Sequence, residues 1–180
     1  MRPDCRAGDA VDRKMHYEAA FESYLQAKAW PYVAVDEAKK AAFGIASLKS
    51  FDFVVYSEAG PNLLVEVKGR KFPNTAGGRR SGRAWENWVT RDDVDSMAQW
   101  QEVFGAGFVG MLVFAYWLQG PAAEAPFEDV HFFRGRYYAF VGIRCDRYVS
   151  MAKPRSPRWQ TMTVPTRQFS REAADIVSFL

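Results

Sequence analysis

A carboxylate and an amine stand two residues apart in the apolar run Leu63-Leu64-Val65-Glu66-Val67-Lys68. A strand alternates its faces, so Glu66 and Lys68 point to one side while Val65 and Val67 point to the other. Upstream, Ser50-Phe51-Asp52-Phe53-Val54-Val55-Tyr56 is a second strand-like run with a single acid among aromatic and β-branched residues. Ser57 to Asn62, containing Gly60-Pro61, supplies a turn between them. A hairpin centred on Ala59 sets Asp52 opposite Glu66. Two bare carboxylates paired across strands repel unless positive charge lies between them. A hard divalent cation such as Mg2+ or Mn2+ meets that need and keeps waters for a substrate phosphate, one of which Lys68 could orient or activate. In outline this is a phosphodiesterase site. A lone Glu-x-Lys is commonplace on a solvated strand; here Leu, Val and Phe flank it on both faces, as in a strand covered on both sides, where an unpaired carboxylate is costly.

Asp52 followed, after an interval, by Glu66-Val67-Lys68 resembles the signature of the PD-(D/E)xK nuclease superfamily, which includes restriction endonucleases and archaeal Holliday junction resolvases. Phe51 stands where the usual proline would be. His16-Tyr17-Glu18-Ala19-Ala20-Phe21-Glu22 is similar to the pattern that names the HYExAFE family, and the resemblance covers roughly residues 14 to 118. It implies metal-dependent hydrolysis of DNA phosphodiester bonds, leaving a 5′-phosphate. Asp52, Glu66 and the Val67 carbonyl would hold Mg2+ or Mn2+, Lys68 would assist the attacking water, and Glu18 on the first helix would complete the site. Glu22, four residues on and on the same helical face, is the reserve for Glu18. Gln99 and Gln101 are secondary candidates, because some superfamily members carry a glutamine on the second helix; a plain polar helix face is the simpler account.

These residues need elements to position them. Residues 1–13 read as a loose tail and residues 14–180 as one domain, with a core over 14–118 and an extension over 119–180. The first helix is expected over Lys14 to Ala29, stopped by Trp30-Pro31. Tyr32 to Val35 is a short strand, joined through Lys39 and Gly44 to the Asp52 and Glu66 strands. A Gly- and Arg-rich loop, Arg70 to Gly82, leads to Trp85-Glu86-Asn87-Trp88. Thr90-Arg91-Asp92-Asp93 looks like a capping box opening a second helix, which explains Asp92, Asp93 and Asp95 without a metal. That helix ends near Phe104-Gly105, and Phe108 to Trp117 follows as a buried strand parallel to the Glu66 strand. The order α-β-β-β-α-β, an α/β class with a central mixed sheet flanked by helices, fits a restriction endonuclease-like core. A hairpin about Arg134-Gly135, a strand over Trp159 to Val164 and a final helix capped by Ser170 extend it.

The 180 residues are 48% hydrophobic, enough for one real core, and the formal charge is only +3. Its distribution says more. From Lys68 to Arg91 seven basic residues face one acid, and from His131 to Arg171 nine face one. Two such segments suggest a basic face for a phosphate backbone. Arg70, Lys71, Arg79, Arg80 and Arg83 in the first, and Lys153, Arg155 and Arg158 in the second, are the candidate nucleic-acid contacts. Lys153-Pro154-Arg155-Ser156-Pro157-Arg158-Trp159 reads equally as a phosphate grip that stacks a base or as a proline-rich connector whose tryptophan packs inward. Cys5 and Cys145 have no CxxC spacing, and reduced thiols in a cytoplasm are expected. The run Phe108 to Leu118 is too short for a membrane helix, so no membrane partner is expected. DNA is the expected partner, and a homodimer is open, with Trp85, Trp88 and Trp117 available to an interface or to the core. A nuclease-like fold acting only as a nucleic-acid-binding or partner-binding module is the alternative, and a structural protein with a Glu66–Lys68 ion pair a third.

Overall fold

The computed structural model describes residues 6–35, 48–74 and 85–180. The expected connection through Lys39 and Gly44 and the candidate contacts Arg79, Arg80 and Arg83 lie outside the described residues. Helix α1 spans Arg6–Ala27, so residues 6–13, expected as a loose tail, are helical. Its end is a Schellman turn. Trp30 N–H donates to the Leu25 carbonyl and Ala29 N–H to that of Gln26 (both 3.1 Å), with Ala29 in the left-handed region at φ 57°.

Strands β1 (Tyr32–Ala34), β2 (Phe53–Val55) and β3 (Asn62–Phe72) follow as an antiparallel set. Phe53 lies opposite Val65, the register that a hairpin centred on Ala59 requires, and the pairing stops there: Asp52, expected opposite Glu66, instead donates its N–H to the Val65 carbonyl. After β4 (Val89–Thr90), helix α2 (Arg91–Phe104) crosses to β5 (Phe108–Leu118), which runs parallel to β3 from Asn62↔Phe108 to Phe72↔Leu118. This pairing carries β3 beyond its expected end. Arg70 and Lys71, placed in a loop by their glycine- and arginine-rich context, are strand residues.

Beyond the core, β6 (His131–Phe133) and β7 (Arg136–Arg144) form a hairpin whose two turn residues, Arg134 and Gly135, both have positive φ (46° and 76°). That is a type I′ connection, matched to strand twist. β7 pairs antiparallel with β5 from Met111↔Arg144 to Trp117↔Tyr138, so the extension completes the main sheet. Helix α3 (Cys145–Met151) leads to β8 (Lys153–Ser156) and β9 (Thr161–Thr163). Helix α4 (Thr166–Glu172) precedes β10 (Ala174–Asp175) and a terminal 3-10 turn, Ile176–Phe179. Ser170 therefore lies inside a helix that starts after Pro165, not at the cap of one reaching Phe179; the Ala174–Asp175 pairing with β7 ends the helix early.

Among the described residues the main sheet runs β1-β2-β3-β5-β7-β10, with β6 also on β7, and a second sheet runs β4-β9-β8. Each face of the main sheet has its own core. Ala20, Phe21, Tyr24 and Leu25 of α1 pack on Phe53, Val65, Val67 and Val113. Val94 and Met97 of α2 pack on the other face, with Leu64, Leu112 and Phe114.

Candidate active site

Alternation along β3 turns Leu64 and Glu66 toward α2 and Val65 and Val67 toward α1. Glu66 is only 3% exposed, and its Oε1 accepts from Lys68 Nζ at 2.7 Å. The sheet supplies the pair, and α2 supplies its complement. Thr90 caps α2: its hydroxyl accepts from Asp93 N–H, while the Asp93 carboxylate accepts from Thr90 N–H at 2.8 Å. The sequence reading of Asp93 as a capping residue holds, but the same carboxylate also meets Lys68 Nζ at 3.0 Å and the ammonium of Lys49. Lys49 Nζ lies 3.5 Å from Glu66 Oε1. Its backbone is fixed by Trp100 of α2, whose indole N–H donates to the Lys49 carbonyl at 2.8 Å.

Glu66, Asp93, Lys49 and Lys68 thus form a quartet of two buried acids and two partly exposed bases. Burial works against the ionised Asp93 carboxyl, yet Lys68, Lys49 and the Thr90 amide hold it well below the usual carboxylate range. Burial likewise opposes the Lys49 ammonium, and the Glu66 and Asp93 carboxylates beside it outweigh that and push its pKa up. The crevice walled by Lys49, Glu66, Asp93 and Ser96 is too narrow for a water molecule. Asp52 sits at the open margin of this group. Its amide donates to the Val65 carbonyl at 2.8 Å, and its Oδ2 accepts from Val67 N–H at 2.7 Å. Odd residues of β3 therefore turn their backbone groups toward Asp52, just before β2 begins.

Tyr17 lies over Gly69, next to Lys68, so closely that a Cβ at Gly69 would come within 2.0 Å of its ring. Tyr138 O–H bonds His16 Nδ1 at 2.9 Å, and Phe21 meets the rings of Phe53 and Phe140 at 5.4 and 5.2 Å. Much of the motif from His16 to Glu22 is therefore helix-to-sheet packing. Glu22 accepts from the Tyr32 hydroxyl at 2.9 Å, an engagement with the edge strand β1. Glu18, half-buried, follows Tyr17 on the helix that covers the sheet face opposite Glu66 and Lys68.

The remaining candidates divide by burial. Gln101 Oε1 accepts from Gly110 N–H at 2.9 Å, tying α2 to β5, and Gln99 is exposed and bonds its own helix. The Arg70 guanidinium stacks 4.1 Å from the Trp88 ring and donates to the carbonyls of Gly69 and Trp88. It braces the structure. Arg155 approaches the same Trp88 ring at 5.3 Å, so the two basic segments meet there. Lys71 lies over Trp117 at 5.2 Å, and Lys153 and Arg158 are exposed on β8 and the turn after it.

Lys49 and Asp93 are the site residues that the sequence reading did not place. For Asp93 a signal existed: with Met97 and Trp100 it falls on one stripe of α2, the stripe facing the sheet. For Lys49, ahead of Asp52 in an irregular segment, there was none.

A helix-flanked mixed sheet with this strand order is a restriction endonuclease-like fold. Among solved structures it is similar to Hjc, a Holliday junction resolvase from the archaeal hyperthermophile Archaeoglobus fulgidus, with a TM-score of 0.53 and 13% sequence identity over 91% of this chain and 97% of that one. No family model matches the chain, and no curated protein does. Among the described residues no helix is long and apolar enough to cross a membrane.

Proposed function

We propose that this protein is a metal-dependent nuclease that hydrolyses DNA phosphodiester bonds, a member of the PD-(D/E)xK superfamily and, on its His16–Glu22 motif, of the HYExAFE family. The observation that carries the reading is the buried Glu66–Lys68 pair beside Asp52 on a restriction endonuclease-like sheet. Among the described residues no three His, Cys, Asp or Glu side chains gather as a ready metal set. The donors nonetheless suit Mg2+ or Mn2+ chemically. Asp52 and Glu66 offer hard carboxylate oxygens, the Val67 backbone lies against Asp52, and Glu66 already draws two ammonium groups toward it. Glu18 is the proposed fourth contributor. When bound, the ion would polarise the phosphate and lower the pKa of a water. Lys68 holds Glu66 in line and offers its Nζ ammonium to a phosphate oxygen, or orients the attacking water. Asp93 positions Lys68 from the helix side, and Lys49 balances the second acid. The partner is DNA, met through Lys71, Lys153, Arg155 and Arg158, with Arg79, Arg80 and Arg83 as further candidates; a homodimer would let two such sites cut two strands.

One observation favours a second reading, a nuclease fold that binds nucleic acid or a partner without chemistry: the quartet is electrically self-satisfied, each acid facing both bases. A panel of labelled linear, branched and single-stranded DNAs with Mg2+ or Mn2+ separates the two. Cutting that is lost in Asp52→Ala and Lys68→Ala, with circular dichroism unchanged, is the expected result. Undiminished cutting by either variant would overturn the site. A wild type that binds DNA, binds no Mn2+ at millimolar levels and cuts nothing would favour the module.

A further inference from the structure

Among the described residues, the hairpin β8–β9 carries the most exposed of the large apolar side chains. Trp159, in the turn between the strands, is 68% exposed. This decides between the two readings of the Lys153–Trp159 segment, since a connector whose tryptophan packs inward would bury the indole. The Arg158 guanidinium lies 5.2 Å from the Trp159 ring, setting a positive charge beside a flat aromatic face. Lys153, Pro154 and Arg155 on the adjoining strand are also exposed.

The turn is anchored to the candidate site. Gln160, next to Trp159 and itself at φ 46°, accepts from Arg91 N–H at 2.8 Å, at the start of α2. Met162 and Thr161 pair with Val89 and Thr90, and Thr90 is the cap that holds Asp93, which in turn meets Lys68. Asn87 binds the same strand, accepting from Thr163 Oγ1 and Val164 N–H at 2.9 Å each. On the other side Arg155 shares the Trp88 ring with Arg70, two residues beyond Lys68. The turn that carries the exposed indole is thus tied by hydrogen bonds and stacking to the elements that hold Glu66 and Lys68.

We infer that this hairpin contacts DNA at an unpaired base, with Trp159 stacking on the base and Arg158 and Lys153 meeting the flanking phosphates. The inference rests on the nuclease reading and names its substrate class: DNA with unpaired bases, branched or single-stranded, over unbroken duplex. In a duplex both faces of an internal base are covered by its neighbours, so only an exposed base can accept the indole. Phosphate contacts, by contrast, are available on either form.

The test is binding, in EDTA so that nothing is cut, to a matched duplex and to the same duplex with a short single-stranded gap carrying 2-aminopurine. The wild type is expected to prefer the gapped DNA about tenfold and to quench the base. Trp159→Ala should lose both, Trp159→Phe should keep most of both, and Arg158→Ala should weaken both DNAs alike. Trp159→Ala with preference and quenching intact, or a wild type that binds the two DNAs equally, would overturn the inference. The nuclease reading is scored separately, by Mn2+-dependent cutting of the same DNAs with Asp52→Ala as control. Cutting without preference would remove the stacking element and leave the nuclease. Preference lost in Trp159→Ala without any cutting would leave the stacking element on a binding module.

Discussion

The two faces of the main sheet solve the same burial problem with different chemistry. Under α1 the face is apolar and aromatic, with Phe21, Tyr24, Phe53 and Phe140 in ring contact around Val65 and Val67. Under α2 an equally buried face admits Glu66 and Asp93, at 3% and 4% exposure, beside Lys68. Neighbouring residues of one strand, Val65 to Lys68, serve both. Burying ions is costly unless each is paired and hydrogen-bonded. The α2 face meets that condition by drawing partners from three separate segments, residues 49, 66–68 and 93. Such an arrangement adds little stability over an apolar one, which is why it reads as a site and not as core.

The comparison makes its strongest prediction on the apolar face. Phe21→Ala removes a ring packed between two others and should cost about 3–5 kcal/mol in chemical denaturation. A small loss there would mean that α1 is not the second core. On the ionic face, Asp93→Asn should cost about 3 kcal/mol at neutral pH, because it leaves two ammonium groups on Glu66 alone. Its pH signature is specific. Asp93 ionises below its ordinary value of 3.8, so its contribution is fully present above that pH and is lost as pH falls further toward the folded value. Melting curves for wild type and Asp93→Asn should therefore converge below about pH 4; parallel curves down to pH 2 would detach Asp93 from the quartet.

Gly69→Ala probes the seam between the faces. A methyl there meets the Tyr17 ring, and overpacking of about 2 kcal/mol is expected. Tyr17→Ala in the same background should relieve the clash and recover part of that loss, less the packing of the ring itself. Gln99→Ala, exposed on α2, should change melting by less than about 0.5 kcal/mol and leave any cutting unaltered.

Much of this was legible locally. Period-two alternation placed Glu66 and Lys68 together, the numbering of the Asp52 and Glu66 runs about one turn yielded the observed register, and Thr90 with Asp93 announced the start of α2. The hairpin about Arg134-Gly135 was legible from its glycine between two strand-like runs, although Arg134 also takes a positive φ that its side chain does not favour. Legibility failed where a residue's role depended on remote partners. Arg70 resembled a surface phosphate contact, yet it lies on a strand lengthened by pairing with β5 and stacks on Trp88. The helix expected after Ser170 gave way to Ala174–Asp175 pairing with β7, a competition that no local propensity records.

The sequence by itself determined which side chains share a strand face, where α2 is capped, how the hairpins register and which residues could do chemistry, because these follow from bonds and spacings within a few residues. Only the tertiary structure decided that Asp93 and Lys49 join Glu66 and Lys68, that α1 covers the opposite face and that Trp159 stays in solvent. Burial and ion pairing depend on distances between residues tens of positions apart, and those distances exist only once the sheet has been assembled.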